Sequence, residues 1–184
     1  MSGLGGLRLA VPRGALMGET LDAAGLTGYR VGLGDASLFP RLLDRVGVPA
    51  EARPQILHEL VTRDLVGLDR EVQRFGDPAL SRVPQTRGGP EVLDEVPEAE
   101  PLRSVLGLLE PAVADRVIFD LGLTHTLGYY TGEVFEVYDA GLGASLGGGG
   151  RYDDLIGRFG RPLPACGWAL NVERLHLARV GEGR

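Results

Sequence analysis

GEVFEVYDAGLGASLGGGG, residues 132–150, decides the fold. Gly132–Asp139 alternates with period two, Glu136 set against apolar neighbours, which is the pattern of a half-buried strand. Ala140–Gly143 is a turn, and Ala144–Gly150 pairs back as the second arm of a hairpin. Upstream, Val117–Leu123 is a further strand, with Val117, Phe119, Leu121 and Leu123 on one face and Asp120 on the other. Downstream, Tyr152–Phe159 reads as helical and Pro162 and Pro164 mark a loop. Cys166–Leu170 fits a buried strand, and a closing helix runs from Asn171 to Val180.

Toward the N-terminus helices dominate. Residues 7–12 read as a short strand, and a helix is expected over 15–24 after Gly14. Gly28–Gly34 is a strand with Tyr29, Val31 and Leu33 on one face. Asp35 can cap the next helix, whose stripe is Leu38, Leu42 and Leu43 and whose end is Gly47. From Pro49 a helical stretch puts Ile56, Leu57, Leu60 and Val61 on one face and continues through Leu65, Leu68 and Val72. Gly76–Pro101 holds five of the twelve prolines and has no sustained period, so it is expected as a surface loop or flexible connection. A helix at 102–110 is then punctuated by Pro111. No internal repeat is visible. The expectation is one α+β domain over residues 1–184, with a helical segment at 35–75, a loop at 76–101 and a strand-rich core at 116–180 built on an antiparallel sheet flanked by helices.

Composition removes several chemistries. The chain has 184 residues and a net charge of −6, with 25 Asp and Glu against 19 basic residues, all of them Arg. Without Lys there is no Walker-type phosphate lysine, Schiff base or lysine nucleophile. The single Cys166 forms no intramolecular disulfide or CxxC pair. His58, His125 and His176 lack metal-ligand spacing, so neither metal nor cofactor is expected. An acidic chain without a basic run is a poor nucleic-acid binder. The opening residues show no apolar run of signal or membrane length, so the expected location is the cytoplasm.

Four features after residue 116 can carry chemistry. Leu123–Gly132 (LTHTLGYYTG) places Tyr129 and Tyr130 at a strand start, beside His125. Glu136 lies on the following strand. Gly147–Asp154 (GGGGRYDD) includes Gly148, Gly149 and Tyr152, and its glycines permit close approach to the backbone. Cys166–Arg174 (CGWALNVER) is a strand running into a helix with Arg174 in its first turn. Tyrosines offer flat walls and hydroxyls to a small planar ligand, and an Arg near a sheet end suits an anion. Each feature also has a structural account, as packing tyrosines, a hairpin glycine run or a charged helix start.

In this order the three motifs resemble the C-terminal part of the catalytic core of class II aminoacyl-tRNA synthetases, histidyl-tRNA synthetases in particular. The family pattern R-G-L-D-Y-Y-T-G falls on His125–Gly132, G-G-R-Y-D-x-L on Gly149–Leu155, and motif 3, G-F-A-x-G-x-E-R-L, on Gly167–Leu175. The resemblance implies that the tyrosines and the RYD segment wall a histidine pocket, with Tyr129, Tyr130, Tyr152, Gly148, Gly149, Glu136 and His125 as candidates. It also makes Arg174 a remnant of a nucleotide phosphate site.

The departures carry equal weight. The family's catalytic Arg falls on His125, replacing a permanent bidentate cation with an imidazole that is mostly neutral at pH 7. The Asp before the paired tyrosines is Gly128, the second motif 3 glycine is Asn171, and motifs 1 and 2 are not found. This pattern resembles the ATP phosphoribosyltransferase regulatory subunits, the non-catalytic paralogues of histidyl-tRNA synthetase used in histidine biosynthesis; Gly28–Val72 is similar to their middle portion. The resemblance implies a non-enzymatic subunit that partners the short catalytic subunit, takes part in histidine feedback and can pair with a second copy of itself. The alternatives are a histidyl-tRNA synthetase core fragment and a truncated product without independent function. Leu7–Leu26 in addition looks like the opening strand and helix of the catalytic phosphoribosyltransferase subunit. The length is short for a complete synthetase-like core, so the N-terminal half is expected to be missing.

Overall fold

The structure, a computed structural model, describes residues 17–124 and 128–182. In chain order it contains helix α1 (17–23), strand β1 (Arg30–Asp35), and helices α2 (Leu38–Val46), α3 (Arg53–Thr62), α4 (Leu65–Val72) and α5 (Ala79–Arg82). There follow β2 (Arg87–Gly88), α6 (Glu100–Leu106), α7 (Pro111–Ala114), β3 (Val117–Asp120) and β4 (Glu133–Tyr138). The described chain closes with β5 (Ser145–Arg151), β6 (Cys166–Leu170) and α8 (Val172–Glu182). The predicted strand at 7–12, and the likeness of the catalytic subunit's opening up to residue 16, lie outside the described residues.

The predicted hairpin is present. β4 pairs antiparallel with β5, Val134 opposite Gly150 and Glu136 opposite Gly148. The register shifts between Val137 and Tyr138, which leaves Leu146 as a bulged residue that joins Val137 in the core. The six strands run in the order β2-β3-β1-β4-β5-β6. All neighbours are antiparallel except β1 and β3, which pair in parallel through Val31–Val117 and Leu33–Phe119, so the sheet is mixed at that point.

One sheet face is packed by helices. Leu33, Phe119 and Phe135 join α2 through α6 in one cluster, while Val31, Val137 and Trp168 meet Met17, Leu21 and Ala178 of α1 and α8 in another. Burial of both stripes is the main driving force for the layer arrangement. The alternate residues, Gly32, Ile118, Glu136 and Gly148, belong to the opposite face. No helix among the described residues is long and apolar enough to cross a membrane.

Helix α2 follows the expected stripe, with Leu38, Leu42 and Leu43 fully buried and Gly47 closing it at φ 77°. Asp35 does not cap its first turn. Its carboxylate instead accepts from the Ser37 backbone N–H at 2.8 Å and pairs with Arg41 at 2.7 Å, which holds the turn before the helix. The stretch from Pro49 to Val72 is not continuous: α3 begins at Arg53, and Arg63 enters the left-handed region at φ 57°. Asp64 then caps α4 by accepting from the Gly67 N–H at 2.8 Å.

Residues 76–101 are also unlike the expected loop. They form a chain of short turns, α5, β2 and 3-10 segments at Val83–Gln85, Pro90–Leu93 and Pro97–Ala99, which buries Leu80, Val83, Leu93, Val96 and Ala99. Prolines at the starts of these turns set the backbone for each without needing an N–H partner. Pro111 begins α7 rather than ending a helix. Leu121 and Leu123 follow the end of β3 in a turn yet are buried, and Asp120 is buried too, accepting from the Gly122 N–H at 3.1 Å. The predicted helix over Tyr152–Phe159 is confined to a 3-10 turn at Ile156–Phe159.

Candidate functional site

The open face of β4, β5 and β6 is floored by residues in register. Glu136 lies beside Gly148 and Ala169, and Val134 beside Gly150 and Gly167. Tyr129 and Tyr130 lead into β4, and Tyr152 follows β5, so the two strand ends bring three rings together. Ring centroids lie 4.5 Å apart for Tyr129–Tyr130, 5.4 Å for Tyr129–Tyr152 and 6.1 Å for Tyr130–Tyr152. They wall a cleft of about 430 Å³ that Ser145, Gly147 and Trp168 complete, a volume suited to a small molecule.

The glycine run is explained by this packing. A Cβ at Gly150 would lie 2.6 Å from the Glu133 carbonyl and 2.8 Å from the Tyr130 ring, so no larger residue fits between strand and tyrosine. The Tyr152 hydroxyl likewise occupies the space that a side chain at Gly167 would fill.

Among the described residues lining the cleft, Glu136 is the one that is charged. The Tyr138 hydroxyl donates a hydrogen bond to its carboxylate. Burial first, then that bond, pushes the Tyr138 phenol above its ordinary range. Tyr129 donates to the Tyr130 hydroxyl at 3.3 Å, and burial followed by this contact raises the Tyr130 phenol. Both phenols therefore stay neutral at physiological pH. An acidic floor between tyrosine faces favours a small ligand with a cationic or amine group, through charge-assisted hydrogen bonds and cation–π attraction.

A polar strut holds the walls in place. Arg151 donates to Asp153 at 2.8 and 2.6 Å. The Asp153 N–H donates to the Thr131 hydroxyl at 3.0 Å, and the Thr131 N–H donates to the Arg151 carbonyl at 2.9 Å. The Tyr130 and Tyr152 segments are thereby tied across β5. Glu133 lies 3.9 Å from Arg151, too far to offset its own burial, and burial pushes its carboxyl up. Arg151 is held charged chiefly by its hydrogen bonds to Asp153.

Tyr129, Tyr130, Tyr152, Gly148 and Glu136 thus converge on one cleft. Gly149 faces the other side of the sheet, against the Gly167 carbonyl. Arg174 does not line the cleft; its guanidinium donates to the Ser145 carbonyl at 2.6 Å. His125 lies outside the described residues. Ser145, Gly167, Trp168 and Ala169 line the cleft as well, the last three from within the Cys166–Arg174 feature, where no individual residue stands out as a ligand contact. Period-two alternation along Cys166–Leu170, once placed beside the glycine strand, is the signal that finds Gly167 and Ala169. On the opposite face an apolar void of about 70 Å³ lies between Val31, Leu33, Phe135 and Trp168, with Glu133 at its edge. It is too small for an amino acid. Among the described residues no group of three or more His, Cys, Asp or Glu side chains can hold a metal ion.

The sequence profile described as histidyl-tRNA synthetase matches residues 12–175. An ATP phosphoribosyltransferase regulatory subunit from Symbiobacterium thermophilum is 42% identical over 176 residues, covering 88% of this chain and 44% of its own. One from Moorella thermoacetica is 38% identical, with coverage of 96% and 50%. A solved structure described as an ATP phosphoribosyltransferase regulatory subunit/histidyl-tRNA synthetase from Bacillus halodurans superposes with a TM-score of 0.82 at 28% identity, over 92% of this chain and 50% of its own. The chain spans about half the length of the curated relatives it matches.

Proposed function

The chain belongs to the histidyl-tRNA synthetase family, and from that premise we propose that it is a regulatory, non-catalytic subunit of ATP phosphoribosyltransferase that acts in cytoplasmic histidine biosynthesis. In this reading it is a single synthetase-like domain that assembles with the catalytic subunit and lends its cleft to histidine feedback. The observation that carries the proposal is the retained cleft of Tyr129, Tyr130, Tyr152 and Glu136 in a chain with His125 at the family's catalytic arginine position. Rings and carboxylate serve binding of an amino acid, whereas adenylate formation needs the missing cation to stabilise developing charge. The names of the two curated relatives support the regulatory role.

The test is co-expression with the short catalytic subunit. The expected outcome is co-purification of the two chains and transferase activity inhibited by histidine, with the inhibition weakened by Tyr130→Ala. Absence of a complex, together with activity indifferent to histidine, would remove the assignment. A second reading, a fragment of a histidyl-tRNA synthetase core, is favoured by the double name of the Bacillus structure. Histidine-dependent exchange between ATP and pyrophosphate, restored by adding a separately expressed synthetase segment carrying motifs 1 and 2, would select it.

A further inference from the structure

Away from the tyrosine cleft, a second pocket of about 250 Å³ lies between the end of α3, the start of α4 and the turns around β2. Leu60, Leu65, Pro84 and Gly122 form its walls, with Gln85, Arg63 and Arg87 as its polar lining. Two guanidinium groups approach one carboxylate oxygen there. Arg87 Nε lies 2.9 Å from Asp120 Oδ2, and Arg63 lies 3.8 Å from the same atom. Asp120 is buried, while both arginine side chains are about half exposed. Arg87 and Asp120 are direct cross-strand partners, so Arg87 alone neutralises the carboxylate. Arg63 shares the same carboxylate at longer range, so two cations face one anion and leave a net positive charge. Of the nearby acids, Asp64 accepts from the Gly67 N–H, Glu91 from the Gly89 N–H and Glu59 from the Gln55 amide.

The backbone at Arg63 is the second observation. Among the described residues it is the one non-glycine at positive φ. It occupies the position after a helix where Gly or Asn is the unstrained choice. A long cation at a strained position points to work done by the guanidinium rather than by the turn.

We propose that this pocket binds a small phosphate-bearing anion, bridged between Arg63 and Arg87 with its remaining atoms against Leu60, Leu65 and Pro84. Paired planar guanidiniums suit phosphate oxygens, since each can present two parallel N–H donors. The proposal is independent of the histidine reading and survives its failure. The test follows arginine Nε–H resonances of the full chain on titration with inorganic phosphate, with sodium chloride at matched ionic strength and acetate as separate arms. The expected result is saturable movement of the Arg63 and Arg87 signals with phosphate alone. Arg63→Asn, which suits the turn, is expected to fold and to weaken phosphate binding by roughly tenfold or more. Arg87→Gln leaves Asp120 short of its close partner and can fail to fold, so Arg63→Asn carries the test. Unsaturable movement, equal binding of acetate, or unchanged phosphate affinity in Arg63→Asn would overturn the proposal.

Discussion

A methyl group at Gly167 would sit 2.6 Å from the Tyr152 hydroxyl, whereas one at Gly150 would meet the Glu133 backbone carbonyl as well as the Tyr130 ring. The end of a tyrosine can swing aside; a strand carbonyl cannot. Gly150→Ala is therefore expected to cost about 1–3 kcal/mol and Gly167→Ala less, with the order read from urea unfolding. Gly167→Ala should also alter the near-ultraviolet tyrosine circular dichroism, and an unchanged spectrum would place Tyr152 elsewhere. Glu133 has a different signature. Burial raises its carboxyl above that of the unfolded chain, so folding takes up a proton and this group's contribution to stability declines as pH rises through the ordinary glutamate range to the raised value. Glu133→Gln removes that decline. Its stability relative to the parent is expected to increase from pH 4 to pH 7, and a difference that is flat or reversed would show that the pairing with Arg151 outweighs burial. The tyrosines and Glu136 were legible because unusual residue types clustered in the sequence. Gly167 and Ala169 were not, because a glycine and an alanine in an apolar strand look alike whichever face they occupy.

Among the elements, α2 and β4 were plain in the sequence, since each repeats one period over a whole element, and β5 followed from the turn and the glycine run after β4. The 76–101 segment was opaque for the opposite reason: turns of three or four residues repeat no period, and prolines that read as interruption instead begin the turns. Leu93 is 1% exposed within this segment. Leu93→Ala is expected to destabilise the protein by about 2–4 kcal/mol in denaturant unfolding. A loss within experimental scatter would return the segment to the status of a loose connection. The break between α3 and α4 was hidden too. A continuous apolar stripe from Ile56 to Val72 cannot reveal a turn at Arg63 that keeps Leu68 and Val72 on the same core.

For the whole molecule, the question is how much of a ligand site the chain holds by itself. The cleft offers three tyrosines, Trp168 and one carboxylate, Glu136, among its described lining, while histidine brings a carboxylate, an amine and an imidazole. Groups left without partners cost affinity. Under the proposed regulatory function, calorimetry on the isolated chain is expected to find histidine binding no tighter than roughly 1 mM, strengthening on assembly with a catalytic phosphoribosyltransferase subunit. Tight binding by the chain alone would show that the cleft is already sufficient. The sequence by itself determined the period-two strands, the α2 stripe, the absence of lysine chemistry and the motif order that carries the family likeness, because these are properties of residue types at local spacing. Only the tertiary structure decided which glycines floor the cleft, that Asp35 and Arg174 serve backbone and turn, and that Arg63 meets Arg87 over Asp120. Those outcomes depend on strand register and on contacts between distant residues, and local spacing encodes neither.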